Sequence, residues 1–135
     1  MSYYQLHIHA GAAVSKRQGL IRASFDEVLR VSSYDALEQM GCRPLAFGAS
    51  TDHFHVFYGL NPKLAIDHSV ESVKERLQVE LRQLTKPDFS FQIGHWAITV
   101  SPRAVNRVVA YVENQRQRHG MAGLSLDDEF ERKFD

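Results

Sequence analysis

The order of elements written in this chain predicts an α+β fold of the split βαβ, ferredoxin-like kind. That fold is an antiparallel sheet with helices on one face, here followed by a C-terminal helix. Three observations carry the expectation. Segments of strand period and helix period succeed one another as strand, helix, strand, strand, helix, strand, helix. Glycine, proline and short polar clusters separate them. No repeat, low-complexity stretch or linker interrupts the 135 residues, so one domain over residues 1–135 is expected.

Residues 4–9 (Tyr-Gln-Leu-His-Ile-His) alternate as a first strand, and residues 11–19, small, polar and bounded by glycines, read as a loop. Ser24-Phe25-Asp26-Glu27 has capping-box spacing and acids for a first helical turn. The helix it opens carries Val28, Val31, Leu37 and Met40 and ends at Gly41. Residues 43–49 and 53–58 read as two strands joined by the turn Ser50-Thr51-Asp52. After Asn61-Pro62, the spacing of Val70, Val73, Leu77, Leu81 and Leu84 makes one apolar helical stripe, stopped at Lys86-Pro87-Asp88. Residues 89–100 read as a long strand with Gly94 marking a bulge or a close backbone approach. Ser101-Pro102 supplies an N-cap and a first-turn proline for the last helix, striped by Val105, Val108, Val109 and Val112. In a split βαβ sheet the first and third strands are central neighbours, so the strand starting at His53 is expected mid-sheet.

Composition narrows the function classes. Hydrophobic content of 44% with 24% charged residues suits a globular chain. No apolar run approaches the roughly 20 residues a membrane span needs, and residues 1–5 lack the basic and apolar regions of a signal peptide. The single Cys42 makes no internal disulfide, which suits a reducing cytoplasm. A net charge of zero argues against nucleic-acid binding through bulk charge. The sum hides an uneven distribution: Arg103, Arg107, Arg116 and Arg118 cluster before an acidic tail.

Two short motifs carry chemistry. In Asp52-His53-Phe54-His55, alternate side chains of a strand share a face, so the two imidazoles either converge on a cation, or one packs into the core and the other is exposed. In Tyr111-Val112-Glu113-Asn114-Gln115, residues four apart share a helix face at the edge of the valine stripe. A phenol of pKa about 10 needs nearby cations or a polarised electrophile to act as a nucleophile at neutral pH. His7 and His9, on the neighbouring central strand, are candidates to approach the same site.

These motifs lie in a longer pattern. Ser15-Lys16-Arg17 after the first strand, His53-Phe54-His55, residues 91–101, the serine-led last helix with its Tyr111–Gln115 motif, and residues 124–130 occur in that order. The whole resembles the HUH-type single-tyrosine transposases, including those associated with insertion sequences and repetitive extragenic palindromes. The resemblance implies that His53, His55 and Gln115 bind a divalent ion, magnesium or manganese. It implies that Tyr111 attacks single-stranded DNA beside a hairpin or palindromic end, through a 5′-phosphotyrosine. It implies a homodimer. Lys16, Arg17, Arg22, Arg107 and Arg118 are the candidate DNA-phosphate contacts. Where the family often follows its tyrosine motif with two histidines, Arg116-Gln117-Arg118-His119 leaves one. The alternatives are a domesticated hairpin-binding protein without chemistry, and a small metal- or ligand-binding module that never touches DNA.

Overall fold

A computed structural model describes residues 2–117. The expectations placed on Arg118, His119 and the acidic tail lie outside the described residues.

Four strands, β1 (His7–Ala13), β2 (Arg43–Ala49), β3 (His53–Gly59) and β4 (Trp96–Val100), form one sheet in the order β2-β3-β1-β4. Every neighbouring pair is antiparallel. Helices α1 (Asp26–Gln39) and α2 (Ile66–Leu84) are the crossovers of the two βαβ halves, and α3 (Val105–Glu113) is the C-terminal helix that bears the tyrosine. This is the predicted α+β architecture, with β1 and β3 central.

The pleat sorts the two faces. Ile8, Ala10, Ala12, Phe54, Val56 and Tyr58 point to one side and share a core with α1 and α2. Val70, Val73, Leu77 and Leu81 of α2 are all buried there, each contributing roughly 1.5–3 kcal/mol. Tyr58 ends in that core with its hydroxyl 2.6 Å from Ser69 Oγ. The intervening residues of the same strands, His9, Gly11, His53, His55 and Phe57, therefore face the opposite side. There α3 packs through Val108, Tyr111 and Val112 against Ala46, Phe57 and Val100.

Several local expectations need correction. The first strand starts at His7 rather than Tyr4 and runs through Gly11 to Ala13, which the composition marks as loop. The central strand is buried on both faces, so it shows no polar alternation. Its small residues meet a steric demand: a Cβ on Gly11 would lie 2.5 Å from the Phe54 carbonyl oxygen and 2.7 Å from the Trp96 ring. The capping box does not form, because Ala23–Phe25 make a 3-10 turn and Phe25, with no side-chain cap, precedes α1. The buried face of α1 is Leu29, Ser32, Ser33, Ala36 and Leu37, while Val28 and Val31 are exposed. The helix does end at Gly41, at φ +75°. The fourth strand is short. Before Trp96 the chain is a strap laid along α2, held by Arg82 to the Phe89 carbonyl, Gln78 to the Phe91 amide and Lys74 to the Gly94 carbonyl. Gly94 at φ +92° turns that strap into β4.

Candidate active site

The helix that carries the tyrosine is set by its start. Ser101 accepts a hydrogen bond from the Arg103 amide, and Pro102 opens a 3-10 turn that leads into α3. Val108 and Val112 then key into the sheet, and the phase of the helix turns Tyr111 and Gln115 inward with them. Both are buried, Tyr111 at 4% exposure, where the stripe places them at its edge. The close approach is possible because β2 carries no side chain at Gly48. A Cβ there would overlap the Val112 carbonyl oxygen and lie 3.0 Å from Gln115 Cγ. Gly48 is the β2 partner of His55, and Gly11 is its β1 partner. His55 thus stands between two glycines, with Gln115 over one and Trp96 over the other.

The histidines occupy the floor. His53 and His55 share the α3 face with their rings 5.3 Å apart, and both are buried. The Tyr111 ring lies 5.7 Å from that of His55 and 5.9 Å from that of His9, edge-on to both. The predicted halves, imidazoles on a strand and phenol on the last helix, meet within this one chain.

Each imidazole is held by its Nδ1. His53 Nδ1 lies 2.8 Å from Asp52 Oδ1, and Arg17 Nε donates to the other oxygen, Oδ2, at 2.9 Å. The bond from His53 and then that from Arg17 hold the Asp52 carboxyl well below the usual carboxylate range, against the opposing effect of its burial. Asp52 is therefore a carboxylate that accepts from His53 Nδ1, an arrangement that leaves ligation by this ring to Nε2. His55 Nδ1 lies 2.8 Å from His9 Nε2. His7 does not join them: it sits at the other end of β1 and packs on Phe57.

Gln115 donates its amide Nε2 to the Tyr111 carbonyl at 3.0 Å, which fixes the orientation of the carboxamide. Its Oε1 is buried without a hydrogen-bond partner among the described residues. An orphaned buried carbonyl oxygen costs about 1–3 kcal/mol, so one carried over Gly48, the cross-strand partner of His55, fits a cation site. Among the described residues no three His, Cys, Asp or Glu side chains form a metal cluster. The donor set that fits here is two imidazoles and a carboxamide. The next residue, Arg116, makes a paired hydrogen bond to Asp26 at 2.8 Å and reaches the Ile21 carbonyl. It ties the segment after α3 to the first turn of α1.

The proposed DNA contacts are placed unevenly. Lys16, Arg22 and Arg107 are exposed. Arg17 is committed to Asp52, and so supports the histidine strand as well as bordering it. Sequence reasoning missed three contributors: Asp52, Trp96 and Gly48. Asp52 was legible as a carboxylate immediately before the first histidine. Trp96 and Gly48 had no comparable signal, because their roles depend on cross-strand register.

A split βαβ sheet with paired histidines on a central strand and a tyrosine helix over them defines the class. The profile of the family described as Transposase IS200 like matches residues 2–115, and the chain belongs to that family. No curated protein matches. Two solved structures share the fold. One is a protein from Deinococcus radiodurans R1 assigned as a transposase, at 21% identity and TM-score 0.66, covering 85% of this chain and 94% of that one. The other is a REP-associated tyrosine transposase bound to a REP hairpin, at 14% identity and TM-score 0.64, covering 89% and 75%. Among the described residues no helix is long and apolar enough to cross a membrane.

Proposed function

We propose that this chain is a metal-dependent single-stranded DNA nicking and strand-joining transposase, with Tyr111 as nucleophile and His53, His55 and Gln115 as metal ligands. The observation that supports it best is the buried constellation in which the Tyr111 ring lies 5.7 Å from that of His55, while Gln115, one turn on, packs over Gly48 with its oxygen unpartnered among the described residues. In this reading Tyr111 attacks a backbone phosphorus, forms a 5′-phosphotyrosine and releases a 3′-hydroxyl. A 3′-hydroxyl from another strand reverses the attack and joins new ends, the ester bond being conserved throughout. His53, His55 and Gln115 would hold a divalent magnesium or manganese ion, which when bound would supply Lewis-acid stabilisation of the scissile phosphate. Asp52 and Arg17 hold the His53 ring, and the Gln115 carboxamide is oriented by its own helix.

The proposed substrate is a single strand carrying a hairpin or palindromic end. The structural neighbour bound to a REP hairpin supports this, as does membership of a transposase family. We further propose a homodimer working in the cytoplasm. The test is labelled hairpin DNA from palindromes flanking the gene, incubated with protein and manganese and resolved on a denaturing gel. A covalent adduct formed by the wild type and absent with Tyr111→Phe is expected. Hairpin binding without an adduct, unchanged by Tyr111→Phe or a chelator, would identify the non-catalytic hairpin binder instead.

A further inference from the structure

The two imidazoles of the histidine strand are supported in chemically different ways. His53 faces a carboxylate, so charge alone dictates that its Nδ1 carries the proton. His55 faces another imidazole, His9, and a neutral pair has two solutions. If His9 carries its proton on Nδ1, its Nε2 accepts from His55 Nδ1–H, and His55 can ligate through Nε2. If His9 carries its proton on Nε2, it donates to His55 Nδ1. The proton of a neutral His55 then sits on its own Nε2, which cannot ligate.

The geometry allows His9 little freedom to be anything but a fixed partner. His9 is paired with Phe57 on β3 and His55 with Gly11 on β1, so the two histidines are diagonal neighbours on one face. Both are buried. Trp96 fills the space above Gly11 and stands edge-on to both rings, at 4.8 Å from His9 and 5.1 Å from His55. Tyr111 stands edge-on to His9 on the helix side. The His9 ring is thereby clamped in the plane that aims Nε2 at His55.

We infer that His9 is a positioning residue that fixes the tautomer and ring plane of His55, and so decides which nitrogen the site offers to a divalent cation. The inference rests on the metal reading proposed above. It extends to His55 the support that Asp52 gives His53, with a neutral group in place of a charged one. Partners of metal-binding histidines commonly hold affinity in this way.

Two measurements test it. Long-range proton–nitrogen NMR of the imidazoles in the metal-free protein reads the tautomer directly. The Nδ1–H form of His55 is expected in the wild type and in His9→Gln, whose carboxamide oxygen can accept the same bond. A shift toward the Nε2–H form that imidazole prefers in water is expected in His9→Phe. Calorimetric titration with manganese should show affinity weakened about 10–100-fold in His9→Phe, and less in His9→Gln. A wild-type His55 protonated on Nε2 overturns the inference, whatever the variants do. So does a His9→Phe protein that folds and keeps the wild-type tautomer and manganese affinity. If the wild type takes up no manganese, the metal reading fails on its own, and the NMR tautomers still decide the role of His9.

Discussion

The tightest approach at any described glycine, α3 on Gly48, gives the sharpest prediction. In Gly48→Ala the new methyl would overlap the Val112 carbonyl oxygen and lie 2.8 Å from the Val112 carbonyl carbon, where ordinary contact begins near 3.4 Å. The obstacle is helix backbone, so no rotamer change relieves it. The helix must lift or slide by more than about 1 Å to restore contact distance to that oxygen. Val108, Tyr111 and Val112 move with it, and so does Gln115. Overpacking of this kind costs roughly 1–3 kcal/mol. For a chain of this size that is a fall in Tm of roughly 3–12 °C, read by thermal denaturation. Chemistry should suffer more than stability, because displacing a reacting group by about 1 Å costs on the order of 100-fold in rate. The assay is the rate of covalent adduct formation on hairpin DNA. Gly59→Ala is the control: its Cβ would meet Arg43 at an ordinary 3.6 Å, so both readouts should stay near wild type. A Gly48→Ala protein with wild-type Tm and wild-type adduct rate would refute the claim that helix backbone contact at this glycine seats Tyr111 and Gln115.

Two further outcomes follow from other contacts. Asp52→Asn removes the negative charge shared by His53 and Arg17, so manganese affinity measured by calorimetry should fall about 10–100-fold while hairpin DNA affinity changes far less. Burial pushes the Tyr58 hydroxyl up to about 12, so its neutral form is favoured in the folded chain relative to an unfolded phenol at about 10. Because this pKa is raised, its stabilising contribution is complete below pH about 10 and is lost as pH rises toward about 12. Urea titrations across that window should show a decline that is shallower in Tyr58→Phe, and ultraviolet titration should find one tyrosine ionising near 12.

Element identity was largely legible in the letters, and its limits were physical. β2 and β3 announce themselves by turn residues at both ends, and α2 by a regular apolar stripe. The start of α3 was readable because Ser101 and Pro102 act locally. The first strand was misplaced because alternation marks a half-buried strand, and β1 is buried on both faces. Residues 89–95 have strand composition, but they meet the chain after β1 at a single bridge, Val14 with Phe91, and are otherwise held by α2 side chains, so the regular fourth strand begins only at Trp96. No local signal records that choice.

The same division runs through the site. Sequence alone determined that His53 and His55 share a face and that Tyr111 and Gln115 share another, since these depend on periods of two and 3.6 residues. Only the tertiary structure decided that the two faces meet in one chain and that Gly48 and Gly11 clear the space around His55. Only there do Asp52 and His9 become the partners of the two imidazoles. Those facts depend on strand register and helix docking, where side chains 46 positions apart, such as His9 and His55, come within 2.8 Å. Periodicity fixes which way a side chain points along its own element. What it points at is fixed by packing between elements.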